Sequence, residues 1–255
     1  MVRVRFICCE TEAEAGLRAA EIMAEVIREN PMAIIGLATG STPLNMYSAL
    51  ADMYDAGEIS FAGVKSVNLD EYVGLPPCHN RSYAYFMSEN LFSKIDIPRE
   101  NTHIPDGMSD PDLECENYNQ TLDRLGPVDI QLLGIGHNGH IAFNEPDSYF
   151  LKDTSCVRLT DSTIKANSRF FDSEAEVPKM AISMGIGRIL RSRRILLLAM
   201  GEGKAMILEK ALFGRVTPSV PASILQFYQG ELTVVADRSA MSVICEKHPY
   251  VIEKM

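Results

Sequence analysis

A doubly wound α/β fold is predicted: a mostly parallel sheet with helices on both faces, in a Rossmann-like three-layer αβα arrangement. Three observations predict it. Short continuous apolar runs alternate with amphipathic helical stretches, and such runs suit strands covered on both faces. Four of these runs end in polar or Gly-rich turns. The chain has 255 residues and is 46% apolar, which suits one domain over residues 1–255 with a sizeable core.

The elements follow in order. Val2–Cys8 is the first strand candidate. Thr11-Glu-Ala-Glu14 is a capping box that opens a helix to about Glu29, with Leu17, Ala20, Met23 and Ile27 along one face. Ala33–Ala38 is a strand, and a helix from Pro43 to about Ala56 follows its turn. Pro43 fits the first helical turn, where a missing N–H costs nothing. Val64–Leu69 is a strand, and Ser82–Leu91 and Pro111–Leu125 are helical. Ile130–Leu133 and Ile195–Met200 are strands, and a helix runs from about Lys204 to Phe213. Leu232–Ala236 is the last strand, with a short helix after it. Residues 149–179 are polar and weakly periodic, and are expected to form an irregular lid.

Composition narrows the function. The formal charge is −10, which disfavours nucleic acid and anionic membranes as partners. No apolar run approaches the roughly 18 residues of a bilayer span, and the N-terminus lacks a cleavage site. The six cysteines form no C-x-x-C pair and read as free thiols in a reducing compartment. A cytoplasmic enzyme is expected.

In open parallel sheets, ligands bind beyond the carboxyl ends of strands, so the four turns should meet. Thr39-Gly-Ser-Thr42 precedes a helix. Gly40 admits a close ligand, Ser41 and Thr42 offer hydroxyls, and the helix start favours an anion. Either a phosphate cradle or a capped turn fits. Asp70 and Glu71 end an apolar strand, so one carboxylate can face the site while the other anchors the turn. A carboxylate there can take a proton from a carbon beside a carbonyl. The richest segment is Gly134-Ile-Gly-His-Asn-Gly-His-Ile-Ala-Phe-Asn-Glu145. Its histidines suit proton transfer near neutral pH, and Glu145 can orient one of them. His137 and His140 lack the further ligands a metal needs. The Gly134, Gly136 and Gly139 spacing lacks the long helix of a dinucleotide site. No metal or other cofactor is therefore expected. Lys204 and Arg169 are candidate phosphate cations.

With these residues in view, the chain resembles the glucosamine-6-phosphate deaminase (isomerase) family over nearly its whole length. The resemblance lies in 36–44, 68–75, 82–87, 134–146, 166–171 and the Gly201–Lys204 turn. It implies aldose–ketose isomerisation and deamination of glucosamine 6-phosphate, giving fructose 6-phosphate and ammonium, in amino-sugar catabolism. His140 would open the sugar ring, Asp70 would take the C2 proton, and Glu145 would support the histidine. Thr39, Gly40, Ser41, Thr42, Arg169 and Lys204 match phosphate-binding positions. Asn138 stands where some members carry Asp, and is expected to fix the imidazole tautomer. The basic residues of allosteric members are absent after Pro146. Members form hexamers or smaller assemblies, so the resemblance allows a homo-oligomer. Two alternatives share the fold: a 6-phosphogluconolactonase and a non-catalytic sugar-phosphate sensor.

Overall fold

The structure is a computed structural model in which residues 4–252 are described. Its elements are β1 (Val4–Cys9), α1 (Glu12–Glu29), β2 (Ile34–Leu37), α2 (Leu44–Asp55), β3 (Lys65–Asn68), β4 (Asp70–Tyr72), α3 (Tyr83–Asn90), β5 (Thr102–His103) and α4 (Pro111–Leu125). There follow β6 (Ile130–Leu133), β7 (Ser155–Arg158), α5 (Asp161–Asn167), β8 (Met180–Ser183), α6 (Ile186–Ile189), β9 (Arg194–Ala199), α7 (Ala205–Phe213), β10 (Glu231–Asp237) and α8 (Arg238–Lys247). Val2 and Arg3, placed in the first strand by the sequence, lie outside the described residues.

Seven strands form one parallel sheet in the order β1-β10-β9-β6-β2-β3-β5. From β2 the chain steps outward to β3 and β5. It then returns to β6, on the other side of β2, and steps outward to β9 and β10. The direction of winding therefore reverses between β2 and β6. Crossovers on either side of such a point leave a crevice at the carboxyl ends of the strands. The strands around it are fully apolar or nearly so: Ile35, Leu37, Ile130, Leu132, Leu133 and Leu196–Leu198 are all buried.

Half of the expected capping box forms at α1, and the Glu14 carboxylate reaches one residue beyond the Thr11 N-cap. Thr11 Oγ1 accepts from the Glu14 N–H at 3.1 Å, and the Glu14 carboxylate accepts from the Glu10 N–H at 2.8 Å. The apolar face differs from the expected one at a single position. Ala20, Met23 and Ile27 are buried, but Leu17 is 47% exposed. Small residues, Ala15, Gly16 and Ala19, take the inner face instead. They let α2 approach so closely that a Cβ at Gly16 would lie 2.4 Å from the Asn45 Cβ.

A second, three-stranded sheet in the order β4-β8-β7 is antiparallel throughout. The sequence reading missed it. It treated Asp70–Tyr72 as a turn and 149–179 as irregular, whereas that segment carries β7, α5 and two 3-10 turns. The reason is that an Asp-Glu-Tyr strand runs against intrinsic strand preference, and its pairing partner is over 100 residues away. Pairing of Asp70 with Ser183 and of Tyr72 with Ala181 supplies the order that local sequence lacks. The small cluster of Tyr72, Phe143, Leu159 and Ala181 gives this sheet its own apolar contact.

Gly16→Ala is expected to force α1 and α2 apart at a cost of about 1–3 kcal/mol. Thermal unfolding should show this as a Tm lowered by about 2–10 °C. An unchanged Tm would mean that the helices separate freely.

Candidate active site

A cavity of about 630 Å³ opens at the reversal between β2 and β6. All four turns that the sequence brought together contribute to its lining. They supply Thr39–Thr42, Asp70, Gly134–Asn138 with His140, and Lys204. Arg169 lines it from the segment after α5. Glu71 and Glu145 stand outside the lining and act on it through neighbours.

The β2 turn is built by a tyrosine. Tyr47, fully buried in α2, donates its hydroxyl to the Ala38 carbonyl at 2.5 Å and takes the Ala38 N–H at 3.2 Å. Gly40 then adopts φ +94°, a conformation that side-chain-bearing residues rarely take. Pro43 is the N-cap of α2, one position earlier than expected, and no side chain caps this helix. Thus the Ser41 and Thr42 hydroxyls are not spent on capping. Ser41 Oγ instead accepts from Arg169 Nη2 at 3.3 Å.

The adjacent carboxylates of β4 separate in role. Glu71 turns away from the cavity and accepts three backbone N–H groups, from Tyr72 at 2.8 Å, Tyr83 at 2.9 Å and Ala84 at 2.9 Å. It thereby holds the start of α3. Burial pushes its carboxyl above the ordinary value, and the three donors oppose that shift. Asp70 faces the cavity. Burial, with the charge of Glu71 behind it, pushes the Asp70 carboxyl up to about 8.

The Gly134–Glu145 segment folds back on itself. The Gly136 N–H donates to the His140 carbonyl at 2.9 Å, and the Gly139 N–H donates to the Gly136 carbonyl at 3.0 Å. The His140 ring lies flat over Gly136, so a Cβ there would sit 2.3 Å from the imidazole. His140 Nδ1 lies 3.5 Å from Glu145 Oε2, which leaves Nε2 for the cavity. Burial alone would raise the Glu145 carboxyl. The neighbouring His140 imidazole, with Thr163 and Asn138 beside the carboxylate, instead holds it at about 2. Asn138 does not touch the ring as expected. Its Nδ2 donates to Glu145 Oε2 at 2.7 Å, and its Oδ1 accepts the His140 backbone N–H at 3.2 Å. Both contacts follow from the tight turn, which carries the amide past the imidazole. Ala142, also in the lining, takes φ +51°, a strained conformation for a residue with a side chain.

Cations occupy the other end. Burial, with nearby Arg169, lowers the Lys204 ammonium to about 8. Arg169 lies over the Phe170 ring at 4.6 Å. His137 Nδ1 sits 3.2 Å from the Gly203 carbonyl and links the β6 and β9 turns. Among the described residues, no group of three or more His, Cys, Asp or Glu is placed to hold a metal ion.

Several lining residues were not singled out from sequence. Tyr83 stacks on Phe143 at 6.0 Å and lies 4.8 Å from the Tyr72 ring, while Phe171 meets Tyr72 edge-on at 5.8 Å. Asn167 Nδ2 donates to the Tyr72 hydroxyl at 2.9 Å. These residues sit inside the stretches that carried the family resemblance, which was the only signal for them. Aromatic residues otherwise read as core.

Comparison with known proteins bears on the fold and the family. The family model for glucosamine-6-phosphate isomerases/6-phosphogluconolactonase matches residues 10–234. A glucosamine-6-phosphate deaminase of Lachnoclostridium phytofermentans is 52% identical, covering 91% of this chain and 98% of that one. One from Clostridioides difficile is 49% identical, covering 93% and 96%. The solved structure of a monomeric glucosamine-6-phosphate deaminase superposes with a TM-score of 0.91 at 42% identity, covering 94% and 99%. The 6-phosphogluconolactonase of Trypanosoma brucei, at 18% identity and a TM-score of 0.75 over 95% and 99%, shares the fold. The chain belongs to the glucosamine-6-phosphate isomerase/6-phosphogluconolactonase family.

Proposed function

We propose that this chain converts glucosamine 6-phosphate and water into fructose 6-phosphate and ammonium, as a cytoplasmic enzyme of amino-sugar breakdown. The observation that carries the reading is a buried carboxyl, Asp70, in one cavity with a carboxylate-backed imidazole, His140, and a half-buried ammonium, Lys204. The relatives named as deaminases support it at about 50% identity over most of the chain.

The phosphate sits among Thr39, Gly40, Ser41, Thr42, Arg169 and Lys204. His140 moves a proton from the C1 hydroxyl to the ring oxygen, and the ring opens to an aldehyde. Glu145 holds the imidazole for this transfer, and Asn138 holds Glu145. Asp70 removes the C2 proton, giving an enolamine across C1 and C2. Reprotonation at C1 leaves an iminium at C2. Water adds to C2, the C–N bond breaks, and ammonium departs. Electrons and protons balance without an external oxidant or reductant. Residues 149–179 act as a lid: Arg169, Asn167 and Phe171 reach the cavity from this stretch, which suits closure over a bound sugar.

The direct test is to incubate the protein with glucosamine 6-phosphate. Equal amounts of fructose 6-phosphate and ammonium are expected. Hydrolysis of 6-phosphogluconolactone without ammonium release would sink the reading.

Asp70→Asn should lower kcat by about 10²–10⁴-fold while fructose 6-phosphate still binds. Wild-type turnover in this variant would remove Asp70 as the base. The pH profile of kcat/KM should be bell-shaped. Asp70 acts only when ionised, so the rate falls as pH drops below about 8. Lys204 binds phosphate only when charged, so the rate also falls as pH rises above about 8. Lys204→Arg should remove the alkaline limb, because a guanidinium stays charged. Lys204→Ala should mainly raise KM, since it removes binding shared by ground and transition states. An unchanged KM would take Lys204 out of the phosphate site.

A further inference from the structure

One buried acid has no part in the chemistry above. Asp237 is 5% exposed, ends β10 and stands at the N-cap of α8. Its Oδ1 accepts the Ala240 N–H at 3.2 Å, an ordinary capping bond. The same oxygen also accepts the Gly201 N–H at 2.8 Å, in the neighbouring turn after β9. This second bond is the shorter one, and α8 needs no such partner for its cap.

Gly201 is a demanding residue to hold. It adopts φ +83°, and a glycine has many other conformations open to it. From it the chain makes one 3-10 turn, Glu202–Lys204, closed by the Lys204 N–H donating to the Gly201 carbonyl at 3.0 Å. The Gly203 carbonyl in this turn meets His137 Nδ1 at 3.2 Å. One carboxylate oxygen thus fixes the first residue of a turn whose last residue puts a cation into the cavity. Asp237 itself does not line that cavity.

We propose that Asp237 is a positioning residue, which locks the Gly201–Lys204 turn so that the Lys204 ammonium faces the cavity before the ligand arrives. This rests on the reading of Lys204 as a phosphate cation. Preorganisation of this kind is felt in affinity, because an unlocked turn must be ordered at binding.

The test compares four single variants and one double variant of the full chain by calorimetric binding of fructose 6-phosphate, by steady-state kinetics and by Tm. Asp237→Ser keeps a capping hydroxyl but is too short to reach Gly201 as well. Asp237→Asn keeps an oxygen for both bonds. Ile244→Val loosens the buried face of α8 without touching the turn. Lys204→Ala removes the cation. For Asp237→Ser, Kd and KM should rise about 10- to 150-fold, the range for one lost bond to a charged group, with kcat within about twofold. Asp237→Asn should stay near wild type, and Ile244→Val should lower Tm and leave Kd unchanged. Asp237→Ser added to Lys204→Ala should weaken binding no further, since both act through one ammonium.

The inference is overturned if Lys204→Ala weakens binding while Asp237→Ser leaves Kd unchanged. It is also overturned if Ile244→Val weakens binding as much as Asp237→Ser at equal loss of Tm. If Lys204→Ala leaves Kd unchanged, the phosphate reading of Lys204 fails. A loss in Asp237→Ser alongside that result would overturn the positioning role too, because the effect would not run through the lysine.

Discussion

The reversal of winding between β2 and β6 is the constraint on which the rest depends. Elsewhere in the sheet, successive crossovers step in one direction along it. At the reversal the crossovers leave in opposite directions, and the carboxyl ends of β2 and β6 stay open. Every feature of the cavity is fitted to that gap: the Thr39–Thr42 turn on one wall, the Gly134–His140 turn on the other, and β4 across it. The small antiparallel sheet is the device that brings β4 there. Its pairing with β8 carries Asp70 over the opening and delivers Asn167 and Phe171 to the same wall.

The second organising effect is the removal of charge from water. Several ionisable groups around the opening are displaced from their ordinary range, and for three of them the causes differ. Asp70 is raised by burial and by the carboxylate behind it. Lys204 is lowered by burial and by a neighbouring guanidinium. Glu145 is half-buried, but the neighbouring His140 outweighs the effect of that burial. In the proposed reaction a sugar phosphate would improve the states of the first two, its anion relieving the lysine and its acidic carbon proton meeting the aspartate. The third is already satisfied and serves as a fixed support. A lysine contact with phosphate is common to ground and transition states and serves binding, whereas proton removal by the aspartate belongs to the chemical step. The displaced groups come at a cost in stability to the empty protein, which the large apolar core offsets.

The parallel strands were legible in the sequence because each is a short apolar run between helices, as in Ile130–Leu133 and Arg194–Ala199. Their turns were legible because glycine and small polar residues interrupt those runs. The convergence of Thr39–Thr42, Asp70, His140 and Lys204 followed from the rule for strand ends alone. What local sequence could not show was order imposed from a distance. β4 is polar by composition, and β7 and β8 lie in a stretch of weak pattern. Leu17 looked like core only because its partners on α2 were unknown, and close packing at Gly16 turns it outward. The partners of Asn138 could not be read either, since they depend on the path of a turn with two unusual backbone conformations, at Gly139 and Ala142.

The contact between Gly136 and the His140 ring bears on how such a site is reached by successive substitutions. The imidazole fills the volume that any side chain at position 136 would occupy. The two residues therefore form one unit, coupled by shape and not by charge. A chain that acquired the histidine first would have to pass through an overpacked intermediate. A chain that lost its side chain at 136 first would pass only through a small added space beside the cavity, which is the milder defect. The order glycine, then histidine, is the passable one, and the reverse order is closed by sterics.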